Sequence, residues 1–146
     1  MLNIEPKWSS EKSTAEPIQV VAGVIYGGYE TPGILISRRP AHLHQGGLWE
    51  FPGGKIETGE TQLQSLSREL AEELDIKVTR ASPLITVEHD YGDKSVQLYF
   101  WSVTGFTGEP YGVEGQTIQW VSPQELHNYD FPVANRRVIE LLQNSN

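Results

Sequence analysis

Glu69, Glu72 and Glu73 stand at i, i+3 and i+4 in a stretch whose leucines, Leu63, Leu66, Leu70 and Leu74, recur at helical spacing. No other feature restricts the fold of this chain as much. The leucines predict a helix from near Thr61 with one buried stripe. Thr61 and Gln64 have the spacing of a capping box. The three carboxylates then lie along the flank of the stripe, held against whatever packs beside it. Like charges this close repel by roughly a few tenths of a kcal/mol per pair on an isolated helix. A divalent cation reverses the sign of that interaction, and clustered hard oxygens suit Mg²⁺ or Mn²⁺. Asp75 falls where a residue in the left-handed conformation ends many helices; glycine is favoured there and Asp is a second choice.

The glutamates belong to a longer pattern. It reads Gly53-Gly54-Lys55-Ile56-Glu57-Thr58-Gly59-Glu60, seven further residues, then Arg68-Glu69-Leu70-Ala71-Glu72-Glu73-Leu74-Asp75-Ile76. From Gly54 to Ile76 this run resembles the Nudix box, the signature of hydrolases that cut nucleoside diphosphates linked to another group. The one departure is Asp75, where the family has glycine. A merely solvated acidic face would leave Gly53-Gly54, Glu60 and Arg68 without a reason. Glu60 and Arg68 are expected to form an internal ion pair that orients the loop on the helix.

The resemblance runs from about residue 18 to residue 143. Ser37-Arg38-Arg39, Leu48 to Glu57, Gly108 to Gln116 and Phe131-Pro132-Val133-Ala134-Asn135 are similar to the MutT branch of the family, which removes 8-oxo-dGTP from the nucleotide pool. It implies Glu69, Glu72 and Glu73 as metal ligands, joined by the Gly53 carbonyl. It implies Glu114 as a further ligand or as the base that activates water; Glu69 and Glu114 are not separated in that role. Arg68 joins these two in the catalytic set. Arg39, the Phe51 carbonyl, Lys55 and Asn135 are the implied nucleotide contacts, with solvated charge an equal reading for Lys55.

Physical chemistry supports the role of Asn135. Guanine presents two acceptors, O6 and N7, along its major-groove edge. Oxidation at C8 turns N7 into an N–H donor, so the edge becomes acceptor plus donor. A carboxamide has one donor end and one acceptor end and matches the oxidised edge in bidentate fashion. Adenine also pairs with Asn, so a second contact has to exclude it; the resemblance implies the Phe51 carbonyl, able to accept from guanine N2, for that test. The competing reading makes Asn135 the cap of the last helix. Phe131 is expected in the core or pocket wall. His42, His44, His89 and His127 lack paired metal spacing.

The remaining segments predict a mixed sheet covered by helices. Gln19–Tyr26 and Ile34–Ser37 read as a hairpin, Leu48–Phe51 as a short strand ended by Pro52, and Leu84–Tyr91 with Val96–Thr104 as an antiparallel pair. Gln116–Val121 reads as a strand, Ser122 to Leu126 as a short helix with Pro at its first position, and Val133–Gln143 as a helix. The class is α/β (α+β), which the resemblance sharpens to the Nudix α/β/α sandwich. Residues 1–16 read as a polar N-terminal extension, with Trp8 alone able to dock, and 17–146 as a single domain.

Eleven basic against nineteen acidic residues give a net charge of −8. Such a surface does not suit duplex nucleic acid, but it suits cations and a small polyanion that enters with its metal. There is no cysteine, which fits the cytoplasm. No apolar run is long enough for a membrane span and no apolar signal core is visible. The expected activity is Mg²⁺-dependent hydrolysis of 8-oxo-dGTP to 8-oxo-dGMP and pyrophosphate by a cytoplasmic monomer. Two other readings are CTP or another modified nucleotide as substrate, and a non-hydrolytic module that recognises oxidised guanine.

Overall fold

A computed structural model describes residues 16–42 and 46–144. The extension expected over residues 1–16 falls outside the described residues except for Glu16, as do Trp8 and His44.

The apolar run near the N-terminus forms β1 (Ile18–Tyr26), with β2 (Ile34–Arg38) as its antiparallel neighbour. β1 also pairs in parallel with β6 (Ser95–Thr107) over eight residues, and β6 pairs antiparallel with the edge strand β5 (Lys77–Asp90). On the far side β2 carries β7 (Thr117–Val121). The sheet is therefore mixed. Along β1, Ile18, Val20, Ala22 and Val24 enter one apolar cluster, while Val21 and Ile25 enter another on the opposite face. A central strand covered on both sides needs an unbroken apolar sequence, which is why the run does not alternate.

The helix expected from the leucines is α1 (Gln62–Leu74), and it covers the second cluster through Leu66, Leu70 and Leu74. Both hydrogen bonds of the capping box are present: the Gln64 N–H donates to Thr61 Oγ1 at 3.1 Å, and the Thr61 N–H donates to Gln64 Oε1 at 2.9 Å. Leu63 departs from the expected stripe and is 42% exposed. Helical side chains lean toward the N-terminus, so a first-turn leucine reaches past the end of the helix. Asp75 takes the left-handed conformation (φ 60°, ψ 40°) and donates its N–H to the Ala71 carbonyl. Gly23 in β1 lets the helix approach; a Cβ there would stand 3.3 Å from Leu66 Cδ1.

The other face is covered by two 3-10 turns, Pro123–Asn128 and Val133–Asn135, and by α2 (Arg136–Asn144), through Leu126, Ala134, Val138 and Leu142. The C-terminal helix thus begins later than its apolar pattern suggests, because the first turn after Pro132 winds more tightly. Ser122 precedes the first 3-10 turn without a side-chain cap.

Two other differences matter for the site. β5 starts seven residues upstream of the expected Leu84. Pro83 is tolerated inside it because β5 is an edge strand with a register shift between Pro83 and Ile85. The second is β4 (Gly53–Lys55), which follows β3 (Trp49–Glu50) across Pro52. β4 pairs with β1 at Val20 to Ala22, and β3 pairs with β2 at Ser37 and Arg38. β1 and β2 pair directly only at Ile25–Leu35 and Tyr26–Ile34. Beyond that point they diverge, and the β3–β4 segment occupies the gap, with the Gly23 N–H donating to the Pro52 carbonyl at 2.8 Å.

Candidate active site

The glutamate helix and the two glycines meet at the edge of this gap. Gly53 is required by β1: a Cβ there would lie 2.0 Å from the Val21 carbonyl oxygen. Gly54 is required by α1: a Cβ there would lie 2.4 Å from the Glu69 carboxyl carbon. The Glu69 carboxylate therefore rests directly on the glycine backbone.

Arg68 organises the polar side of this contact. Its Nε donates to Glu60 Oε2 at 2.6 Å and its Nη2 to Glu60 Oε1 at 3.0 Å, the bidentate pair expected from the sequence. Nη2 also donates to the Lys55 carbonyl at 3.2 Å, and Nη1 donates to Glu69 Oε2 at 3.1 Å and to Glu72 Oε1 at 3.4 Å. One guanidinium thus ties the loop, β4 and two of the three helix glutamates together. The hydrogen bonds from Arg68, with help from the Glu57 N–H, hold the Glu60 carboxyl at about 2, well below its usual 4.5. The same pair pushes the Arg68 guanidinium higher still.

A pH dependence follows with a definite sign. The lowered carboxyl favours the folded state fully above the unfolded value of 4.5 and loses that effect as pH falls toward about 2. Thermal melts of the wild type and of Glu60→Gln are expected to differ clearly at neutral pH, with the variant lower. The gap should narrow steadily below pH 4.5. A gap that stays constant through acid would show that the charge of Glu60 is not what stabilises the loop.

The three glutamates have unequal surroundings, for a reason of helix geometry. At about 100° per residue, Glu73 falls within roughly 20° of the Leu66 direction, Glu69 about 60° off and Glu72 about 120° off. Glu73 is accordingly buried at 7% exposure, Glu69 is half-buried and Glu72 is exposed. Glu73 faces a cleft of about 300 Å³ shared with Glu114, Arg38, Arg39, Glu50 and Gln116. Among the described residues, no three Asp, Glu or His side chains converge closely enough to enclose an ion. The carboxylates gathered here, with His42 also in the lining, nonetheless offer hard oxygens, the chemistry that a divalent cation such as Mg²⁺ requires.

A second, apolar pocket opens where β1 and β2 diverge. Its wall is formed by Val20, Ala22, Phe51, Leu98 and Phe100, and Asn135, Arg39 and Glu50 are its polar lining. Phe51 stacks on Phe131 (centroids 5.2 Å apart, planes at 28°) and meets Phe100 edge-on, so Phe131 backs the wall as expected. Asn135 is buried at 9% exposure, and its Nδ2 donates back to the Pro132 carbonyl at 3.4 Å. That bond runs away from α2, unlike a cap, which would accept from the N–H groups of the following turn. Arg39 and Glu50 line both the pocket and the acidic cleft, so the two adjoin.

The structure thus brings together Arg39, Phe51, Gly53 and Asn135 at one pocket, and Arg39, Glu73 and Glu114 at the neighbouring cleft. Glu69, Glu72 and Lys55 meet through Arg68. Glu50 and Gln116 were not singled out by sequence reasoning. Both lie inside segments that resemble the family, but nothing in a linear spacing says that Glu50 borders both cavities or that Gln116 bridges two elements.

A model of the NUDIX domain matches residues 21–141. The chain belongs to the Nudix family. Among curated Nudix relatives, the 8-oxo-dGTP diphosphatase of Escherichia coli (strain K12) is 42% identical over 126 residues, covering 86% of this chain and 96% of that protein. The CTP pyrophosphohydrolase of the same organism is 39% identical over 124 residues, covering 84% and 89%. A solved MutT structure, from work on Aliivibrio salmonicida and Vibrio cholerae, superposes with a TM-score of 0.77 at 41% identity, covering 88% of this chain and 98% of that one. The Nudix fold expected from the sequence, a mixed sheet between helices, is the fold observed. Among the described residues no helix is long and apolar enough to cross a membrane.

Proposed function

We propose that this Nudix enzyme hydrolyses 8-oxo-dGTP to 8-oxo-dGMP and pyrophosphate, clearing a mutagenic nucleotide from the cytoplasmic pool. The observation that carries this reading is the junction of the two cavities. A buried carboxamide, Asn135, lines an apolar pocket, and that pocket shares Arg39 and Glu50 with the cleft of Glu73 and Glu114.

In this reading the base enters between the apolar walls and meets Asn135 along its oxidised edge. Asn135 Nδ2 donates to O6, and Oδ1 accepts from the N7–H that only the oxidised base has. The Phe51 carbonyl accepts from N2 and excludes adenine. Arg39, at the boundary, lies where the sugar and phosphates leave the pocket, and Lys55 adds a second positive charge beside them.

Nudix hydrolases generally use a divalent metal. Here Glu69, Glu72, Glu73, Glu114 and the Gly53 carbonyl would hold Mg²⁺, which neutralises phosphate oxygens and lowers the pKa of bound water. Water oxygen bonds to the β-phosphorus, the bond from that phosphorus to the α–β bridging oxygen breaks, and the bridging oxygen leaves with 8-oxo-dGMP. The water proton passes to Glu69 or Glu114. Arg68 holds Glu69 in register through the Nη1 bond. Little covalent work falls to the protein, so placement and charge dominate the rate.

CTP is the second reading, favoured by the similarity to a CTP pyrophosphohydrolase; the cytosine N4 and N3 edge also offers one donor and one acceptor. Steady-state rates with 8-oxo-dGTP, dGTP, dATP and CTP in Mg²⁺ separate the two. The expected result is kcat/KM for 8-oxo-dGTP at least about 10²-fold above dGTP, from a bidentate pair worth ~1–3 kcal/mol together with the apolar pocket. A preference for CTP would replace the substrate and keep the enzyme class. Duplex binding without phosphate release would point instead to a recognition module.

A further inference from the structure

Gln116 is the last residue before β7, two positions beyond Glu114, and its side-chain amide is bonded at both ends. Nε2 donates to the Glu73 backbone carbonyl at 3.0 Å, and Oε1 accepts from the Glu114 backbone N–H at 2.9 Å. The orientation of the amide is fixed by its partners, since the reverse would set an NH₂ group against an N–H. Residues 73 and 114 are far apart in sequence, yet this one side chain joins the backbones that carry them.

The surrounding loop is built around the same contact. Carbonyls in the last turn of a helix have no partner within it. Here the Val113 N–H donates to the Glu73 carbonyl at 3.1 Å and the Tyr111 N–H to the Leu74 carbonyl at 3.2 Å. The loop thus caps the end of α1 from Tyr111 to Gln116. Gly112 makes room for it: a Cβ there would lie 2.0 Å from the Gln116 carbonyl oxygen and 3.0 Å from its Oε1. The Gly115 N–H closes a turn on the Gly112 carbonyl at 2.9 Å. Glu114 itself is exposed, so its side chain has no packing of its own to fix it.

We propose that Gln116 is a positioning residue for hydrolysis, holding Glu114 at a set separation from Glu73 across the cleft that all three line. The proposal rests on the reading of Glu73 and Glu114 as active-site carboxylates. Gln116 lines the cleft, but both ends of its amide are occupied, so it acts through Glu114.

The test is a double-mutant cycle in the full chain with 8-oxo-dGTP, accompanied by amide hydrogen exchange. Gln116→Met keeps length and loses both bonds. It is expected to lower kcat by about ten- to a hundredfold, the scale of an ångström-level misplacement, with KM changed by less than about threefold. Exchange of the Glu114 N–H should quicken while that of Leu70 in α1 stays as in the wild type. In a Glu114→Gln background the same substitution should cost less than about twofold further, because groups that act as one unit are not additive. Gln116→Glu keeps the acceptor for the Glu114 N–H but sets a charged oxygen against the Glu73 carbonyl, where Nε2 now donates at 3.0 Å. It should also lower kcat by about tenfold or more, with Glu114 N–H exchange still slow, and it carries the comparison if the Met variant does not fold. A neutral Gln116 variant beside an impaired Glu114→Gln would overturn this proposal alone, as would an undiminished loss in the Glu114→Gln background. A fully active Glu114→Gln would overturn the reading of Glu114 beneath it.

Discussion

Glu69→Gln is expected to yield a folded protein whose turnover of 8-oxo-dGTP falls by about 10³-fold, within the range for removing a catalytic acid–base group. The amide has the shape of the carboxylate and still fits against Gly54, where the side chain rests on the backbone. It keeps an oxygen for the Arg68 Nη1–H, now 3.1 Å from Glu69 Oε2. The substitution removes charge and leaves packing almost untouched. Without that charge the side chain neither takes a proton from water nor balances a divalent cation, whichever of the two roles it has. KM should change far less than kcat, because Glu69 is not part of the lining of the base pocket. Pyrophosphate release and a thermal melt on the same preparation decide the matter. Turnover near wild type would remove Glu69 from the chemistry, and a collapsed melt would make it a structural residue.

Asn135→Ala should act on a different quantity. The preference for 8-oxo-dGTP over dGTP is expected to fall by about ten- to a hundredfold, the discrimination of one bidentate pair. The loss should come from the oxidised substrate, while dGTP is cut about as before. The physical reason is that the carboxamide is buried and matches a donor–acceptor edge that dGTP lacks. Truncation leaves the N7–H and O6 of the bound base without partners in an apolar pocket, which costs more than the same loss in water. Among the described residues the side chain of Asn135 makes one hydrogen bond, a long one, 3.4 Å to the Pro132 carbonyl, so its removal should affect stability little. Competition kinetics with the two nucleotides would measure this directly. An unchanged ratio would send base recognition elsewhere in the pocket and leave Asn135 as a residue of the turn before α2.

The capping box, the leucine face and the left-handed Asp75 were legible because each depends on residues within a turn or two of one another. So was the Glu60–Arg68 pair, since a helix and the loop that leads into it can hardly avoid contact. β4 was not legible. Gly53-Gly54-Lys55 has poor strand propensity and follows a proline, and it becomes a strand only because β1 and β2 diverge and leave hydrogen-bonding edges to be met. Pro83 within β5 is a similar case, since an edge position spares it the N–H that it lacks.

Local spacing therefore determined, from sequence alone, which helix bears the carboxylates and which residues fix its two ends, for these are short-range hydrogen bonds and angular periodicities. Only the tertiary structure decided that Glu73 shares a cleft with Glu114, that Asn135 and Arg39 line one pocket, and that Gln116 joins two distant backbones. Those relations are set by how the strands diverge and how the helix ends are capped, and contacts between residues tens of positions apart leave no fixed interval in the chain to be read.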